Sequence, residues 1–126
     1  MLTNLKRKIR RSIYSIKKLW KWIPIIWDDR DWDHWYIFEI LKRKLEDVQE
    51  YTLKHSHHVN YEDDARKIRT AIKLIQRVQE EYYIQEYYDI SNNFSMEEVK
   101  KAIAKQDKAK RVLFNYLNHY ILNWWD

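Results

Sequence analysis

Apolar residues recur at helical spacing along most of this chain, and the polar stretches between them divide it into four segments. Leu2, Leu5, Ile9, Ile13, Ile16 and Trp20 step by three or four, which puts them on one face of a helix with cations opposite. Pro24 is the single proline. Lacking an N–H, and biasing Ile23 toward extended geometry, it is expected to end this first helix near residue 22 and leave 23–30 as a linker. Asp28, Asp29, Asp31 and Asp33 then offer an N-cap and first-turn carboxylates to a second helix over about 32–55. Its apolar face reads Ile37, Ile40, Leu41, Leu45, Val48 and Thr52. Lys44 falls inside that stripe, where it either snorkels to solvent or turns its ammonium into a shared polar site.

The run His55-Ser56-His57-His58-Val59-Asn60 breaks the period and predicts a turn, with Asn60 capping a third helix that carries Glu62, Asp63 and Asp64 in its first turn. Tyr61, Ala65, Ile68, Ala71, Ile72, Ile75 and Val78 form the expected core face, flanked by a cationic row of Arg66, Arg69, Lys73 and Arg77. Glu62 to Arg66 and Arg77 to Glu81 are i,i+4 pairs that would satisfy two of these cations at the surface. The third helix should end near Asp89. After a loop over 91–94, Ser95 and Glu98 make a capping box that opens a last helix with Val99, Ile103, Leu113, Tyr116, Leu117, Tyr120, Ile121 and the terminal tryptophans on its buried face. No strand alternation and no repeat is visible. The expected fold class is therefore all-α, a helical bundle of three long helices plus a basic amphipathic N-terminal helix, in one domain over 1–126 with its core in 31–126.

Charge changes this picture in one place. The net +5 is concentrated: residues 1–22 hold eight Lys and Arg and no acid, so 23–126 together carry −3. Such a stripe-and-cation pattern binds the rest of the chain, a second copy or an anionic membrane interface, or lends its cations to a nucleic-acid backbone. The acidic balance of the remainder makes an extended nucleic-acid track unlikely by charge alone. The apolar run Ile23-Pro24-Ile25-Ile26-Trp27 is too short for a signal sequence or a membrane span, so a soluble chain without integral membrane association is expected. The composition narrows the chemistry further. The chain has no Gly and no Cys, which excludes backbone phosphate loops, nucleophile elbows, disulfides and thiolate metal sites. Any phosphate would have to be held by Arg and Lys side chains or by a helix N-terminus.

The densest group of functional side chains is Trp27-Asp28-Asp29-Arg30-Asp31-Trp32-Asp33-His34-Trp35. Its aspartates can simply cap the second helix while the tryptophans plug gaps. Alternatively, Trp27 and Trp32 clamp a planar group, Arg30 and His34 contact an anion or ribose, and Asp31 and Asp33 engage base edges. On this reading Arg30, Lys44, Arg66 and Arg69 would hold phosphates. Of His55, His57 and His58, the pair His55 and His58 is i,i+3 and can share a helical face, but the third ligand a zinc needs is not identifiable, so neither a metal nor a cofactor is expected, and no catalytic motif is completed. Seven Trp and ten Tyr against three Phe favour half-wet surfaces, either a stacking site or a homo-oligomer interface.

The segment Trp22-Ile23-Pro24-Ile25-Ile26-Trp27-Asp28-Asp29-Arg30-Asp31-Trp32-Asp33, with Leu41, Lys44-Leu45, Ala65, Ile68, Ala71, Leu74, Ile75 and Trp124-Trp125-Asp126, resembles a family of small bacteriophage proteins. The resemblance implies a protein working in the bacterial cytoplasm and assigns no catalytic residue. It is also similar in kind to phage proteins that sequester nucleotide alarm signals. By that analogy the expected function is a non-enzymatic homo-oligomer that captures a cyclic dinucleotide or cyclic ADP-ribose type of molecule and antagonises bacterial defence signalling. The alternative is a protein-interaction inhibitor or structural accessory with no small-molecule ligand.

Overall fold

A computed structural model describes residues 1–30, 33–91 and 95–124, with side chains described outside 83–91. Its elements run α1 (Leu2–Asp28), α2 (Trp35–His55), α3 (Tyr61–Ser91), α4 (Met96–Tyr120) and a 3-10 turn at Ile121–Asn123. Among the described residues there is no strand, so the all-α class holds. The chain divides into two compact units, Met1–Tyr36 and Ile37–Asp126.

The second unit is built around α3. Ala65, Ile68, Ala71, Ile72, Ile75 and Val78 are all buried, as their spacing predicts, and Tyr61 is half-buried. Ile68, Ala71, Ile72, Ile75 and Val78 meet Leu45 from α2 and Leu113, Leu117 and Trp124 from the C-terminal part, forming one apolar cluster. Burying side chains of this kind contributes about 1.5–3 kcal/mol each. Polar cross-links set the directions. Gln79 Nε2 donates to Glu39 Oε2 at 2.9 Å and Gln49 Nε2 donates to the Ala65 carbonyl at 3.2 Å, so α2 and α3 run antiparallel. Tyr116 Oη donates to the Lys67 carbonyl at 3.1 Å, tying α4 to the first half of α3.

Helix starts follow local chemistry. Ser95 Oγ accepts from the Glu98 N–H at 3.3 Å while Glu98 Oε2 accepts from the Ser95 N–H at 3.0 Å, the predicted capping box. At α2, Asp33 Oδ1 accepts from the Trp35 N–H at 2.9 Å. One carboxylate of the acidic run thus does the capping, and the helix begins at Trp35 rather than near 32. The core face of α2 is also rotated from expectation. Ile37 and Ile40 are exposed, and the inward positions are Phe38, Leu41, Leu45, Val48 and Thr52. That rotation carries Lys44 out of the stripe, so it lies exposed at the helix flank.

The first helix departs most from expectation. It does not stop near residue 22; it runs through Pro24 to Asp28, and Asp29 closes it by donating its N–H to the Ile26 carbonyl at 3.3 Å. Residues 23–28 are therefore helix and not linker. Pro24 removes one ladder bond, the one to the carbonyl of residue 20, at a cost of about 3 kcal/mol in a helix interior. Trp20 and its neighbours are exposed, so water can satisfy the freed carbonyl.

Candidate functional site

Running through Pro24 gives α1 a longer face than the sequence suggests. At 1.5 Å per residue its 27 residues span about 40 Å. Ile23 and Trp27 extend the stripe of Leu2, Leu5, Ile9, Ile13, Ile16 and Trp20 by two further steps. Not one residue of α1 is buried. Ile9 and Ile13 are each 50% exposed and Trp27 is 84% exposed, and Ile23, Ile26 and Trp27 line an open depression near the helix end. Opposite and beside this stripe stand eight Lys and Arg, and the first acid in the chain is Asp28.

No acid precedes Asp28 to interrupt this run of cations. Lys6 and Arg10, Arg7 and Arg11, and Lys17 and Lys21 are like-charge i,i+4 pairs, each destabilising an isolated helix by about 0.2–0.5 kcal/mol. The first turn has no acid and the last turn no base, so the termini also lack the charges that complement a helix dipole.

The residues singled out as ligand contacts fall into two sets. In the N-terminal unit, Trp27 sits in the last turn of α1, Arg30 is exposed, and the Asp33 N–H donates to the Arg30 carbonyl at 2.8 Å, which gathers these two into one turn. His34 is exposed next to them; Asp31 and Trp32 lie outside the described residues. In the second unit Lys44, Arg66 and Arg69 are exposed on α2 and α3. Arg66 is engaged by Asp63, three residues before it, and not by the expected Glu62, which instead accepts from Tyr61 Oη at 3.2 Å. The expected Arg77 to Glu81 pair is present at 3.2 Å.

Asp63 is the charge hub of the α3 start. Lys67 Nζ approaches it at 2.7 Å, and hydrogen bonds from Lys67 and then Arg66 hold its carboxyl below the ordinary aspartate range. The same Asp63 contact pushes the Lys67 ammonium up, and that ammonium also stands 5.0 Å over the Tyr120 ring. These contacts join α3 to α4. Sequence reasoning missed a shelf on α4 lined by Asp107, Lys110, Arg111, Phe114 and Asn115, with Phe114 exposed and 6.3 Å from the Phe38 ring. Its signal was legible: Asp107, Lys110, Arg111 and Phe114 stand at i, i+3, i+4 and i+7 off the core face, with Lys110 engaged by Asp107 at 3.0 Å.

Among the described residues no group of three metal-capable side chains gathers, and no helix is long and apolar enough to cross a membrane. The chain matches no family model, and no curated protein or solved structure is similar to it at a significant level.

Proposed function

We propose that this chain is a non-enzymatic binding protein that attaches peripherally to anionic lipid surfaces through α1. The observation that carries this reading is one uninterrupted helix with a fully exposed apolar stripe, eight cations and no acid before Asp28. Helices of this pattern lie in the plane of a bilayer interface, the apolar face among the acyl chains and the cations among headgroups. Tryptophans prefer that depth, and α1 has Trp20, Trp22 and Trp27.

Charge decides between this surface and a second copy. Pairing two α1 stripes would cover the apolar residues and leave the cations without counter-charge, whereas an anionic leaflet covers the stripe and neutralises the cations in one step. Each Lys or Arg near such a surface contributes about 1 kcal/mol. Eight of them approach the roughly 8 kcal/mol of micromolar binding before the apolar face is counted. Co-sedimentation of the full chain with vesicles tests this. Binding to phosphatidylglycerol-containing vesicles that weakens with salt, with little binding to phosphatidylcholine alone, is the expected result; equal recovery in both supernatants would contradict it.

A second reading, capture of an anionic nucleotide-derived signal, has its own support in the α4 shelf. Phe114 offers an open ring for stacking, worth about 1–3 kcal/mol per base, and Lys110 and Arg111 stand one helical turn before it. Antagonism of bacterial defence is the role that the bacteriophage resemblance would give such capture. Thermal-shift measurements with cyclic dinucleotides and ADP-ribose isomers test it. Stabilisation that disappears in a Phe114→Ala, Arg111→Gln variant supports the reading, and no shift with any of them counts against it.

A further inference from the structure

Where α2 ends and α3 begins, the second unit encloses a cavity of about 40 Å³ lined chiefly by Tyr51, Thr52, Ser56, His58, Asp64 and Trp124. Two polar atoms of this lining are buried without a protein partner, Ser56 Oγ and Trp124 Nε1. Trp124 is 9% exposed and belongs to the apolar cluster, and its indole nitrogen is itself shielded from solvent. An indole nitrogen only donates, and a serine hydroxyl both donates and accepts. A buried donor of this kind is paired in nearly all native structures.

The size and chemistry of the cavity identify the occupant. A water molecule needs two to four polar partners, and the space is of a size for water and too small for a nucleotide. The donor at Trp124 disfavours a metal cation, and the Asp64 carboxylate disfavours an anion. Asp64 Oδ2 lies 3.5 Å from His58 Nε2, and the Ser56 N–H is held by the Thr52 carbonyl at 3.3 Å, so the walls are fixed by contacts of their own. We infer that this cavity is a binding site for a single ordered water that accepts from Trp124 Nε1, shares a hydrogen bond with Ser56 Oγ and donates to Asp64. The water joins the segment after α4 to the corner between α2 and α3. It makes Trp124 a directional anchor for the C-terminal segment, beyond its contribution as an apolar plug.

Water-protein cross-relaxation in the full chain, read at the Trp124 indole N–H, tests the site directly. A long-lived water contact at this proton, together with slow deuterium exchange, is the expected result; an indole proton with no such contact would overturn the inference. A double-mutant cycle adds a thermodynamic readout. Ser56→Ala and Trp124→Phe each remove one partner of the same water, so their effects on the unfolding equilibrium should fall short of multiplying by at least fivefold. Effects that multiply to within twofold would contradict a shared water. Should Trp124→Phe fail to fold, the relaxation measurement on the unaltered chain decides alone.

Discussion

The two longest helices of this protein, α1 and α3, have 27 and 31 residues and are opposites in what stabilises them. The α3 helix opens on Glu62, Asp63 and Asp64, buries six apolar residues among those described and answers three of its cations along its own length, Arg66 and Lys67 through Asp63 and Arg77 through Glu81. By contrast, α1 opens without an acid, buries nothing and stacks cation on cation. A helix gains most of its stability in proteins from packing an amphipathic face, so α3 draws on its buried face, and on the proposed reading α1 draws on an anionic surface. On that reading one helix serves structure and the other binding.

The largest effect should come from removing charge from α1 alone. Replacing Lys6, Arg10, Lys17 and Lys21 by Gln should weaken partition onto anionic vesicles by about a thousandfold, at about 1 kcal/mol per cation, while the urea midpoint of the helical body stays unchanged. Core truncation sharpens the contrast from the other side. Ile75 is fully buried, and Ile75→Ala should cost about 2–5 kcal/mol in urea denaturation. Ile13→Ala in α1 should stay within about 0.5 kcal/mol. Similar costs at the two positions would break the comparison.

Smaller effects test the local devices. Ser95→Ala removes the capping box of α4 and should lower stability by about 1 kcal/mol. Glu39 provides a pH test. Burial pushes its carboxyl up, but hydrogen bonds from Lys42 and Gln79, with the nearby Lys42 and Arg43 charges, outweigh this and hold it below the glutamate value of 4.5. A depressed folded-state pKa contributes stability above the unfolded value, lost as pH falls through the folded one. Stability measured from pH 6 down to pH 2 should therefore decline less steeply in Glu39→Gln than in the unaltered chain.

The α3 core was fully legible because its apolar period is uninterrupted and admits one face only. On α2 the sequence offers two overlapping stripes, through Ile37 and Ile40 or through Phe38 and Leu41, and packing against α3 selects the second. Pro24 misled for a related reason: the rule that a proline ends a helix weighs the lost bond and the bias on the preceding residue, and both are tolerable on a helix with no buried residue. The site was legible in part. The stripe and cations of α1 stand in the sequence, whereas phosphate contacts at Lys44, Arg66 and Arg69 rested on residue type alone. Which flank cation is already engaged depends on side-chain geometry, as Arg66 shows by choosing Asp63 over Glu62. The enclosed space beside Trp124 depends on three segments meeting, which no local pattern encodes.

Hydrogen exchange resolved along the full chain tests the central contrast most directly. In buffer, amides of α1 should exchange far faster than those of α3, and anionic vesicles should protect residues 2–28 while leaving α3 unchanged. Protection of α1 equal to that of α3 in buffer, indifferent to anionic vesicles, would contradict the account.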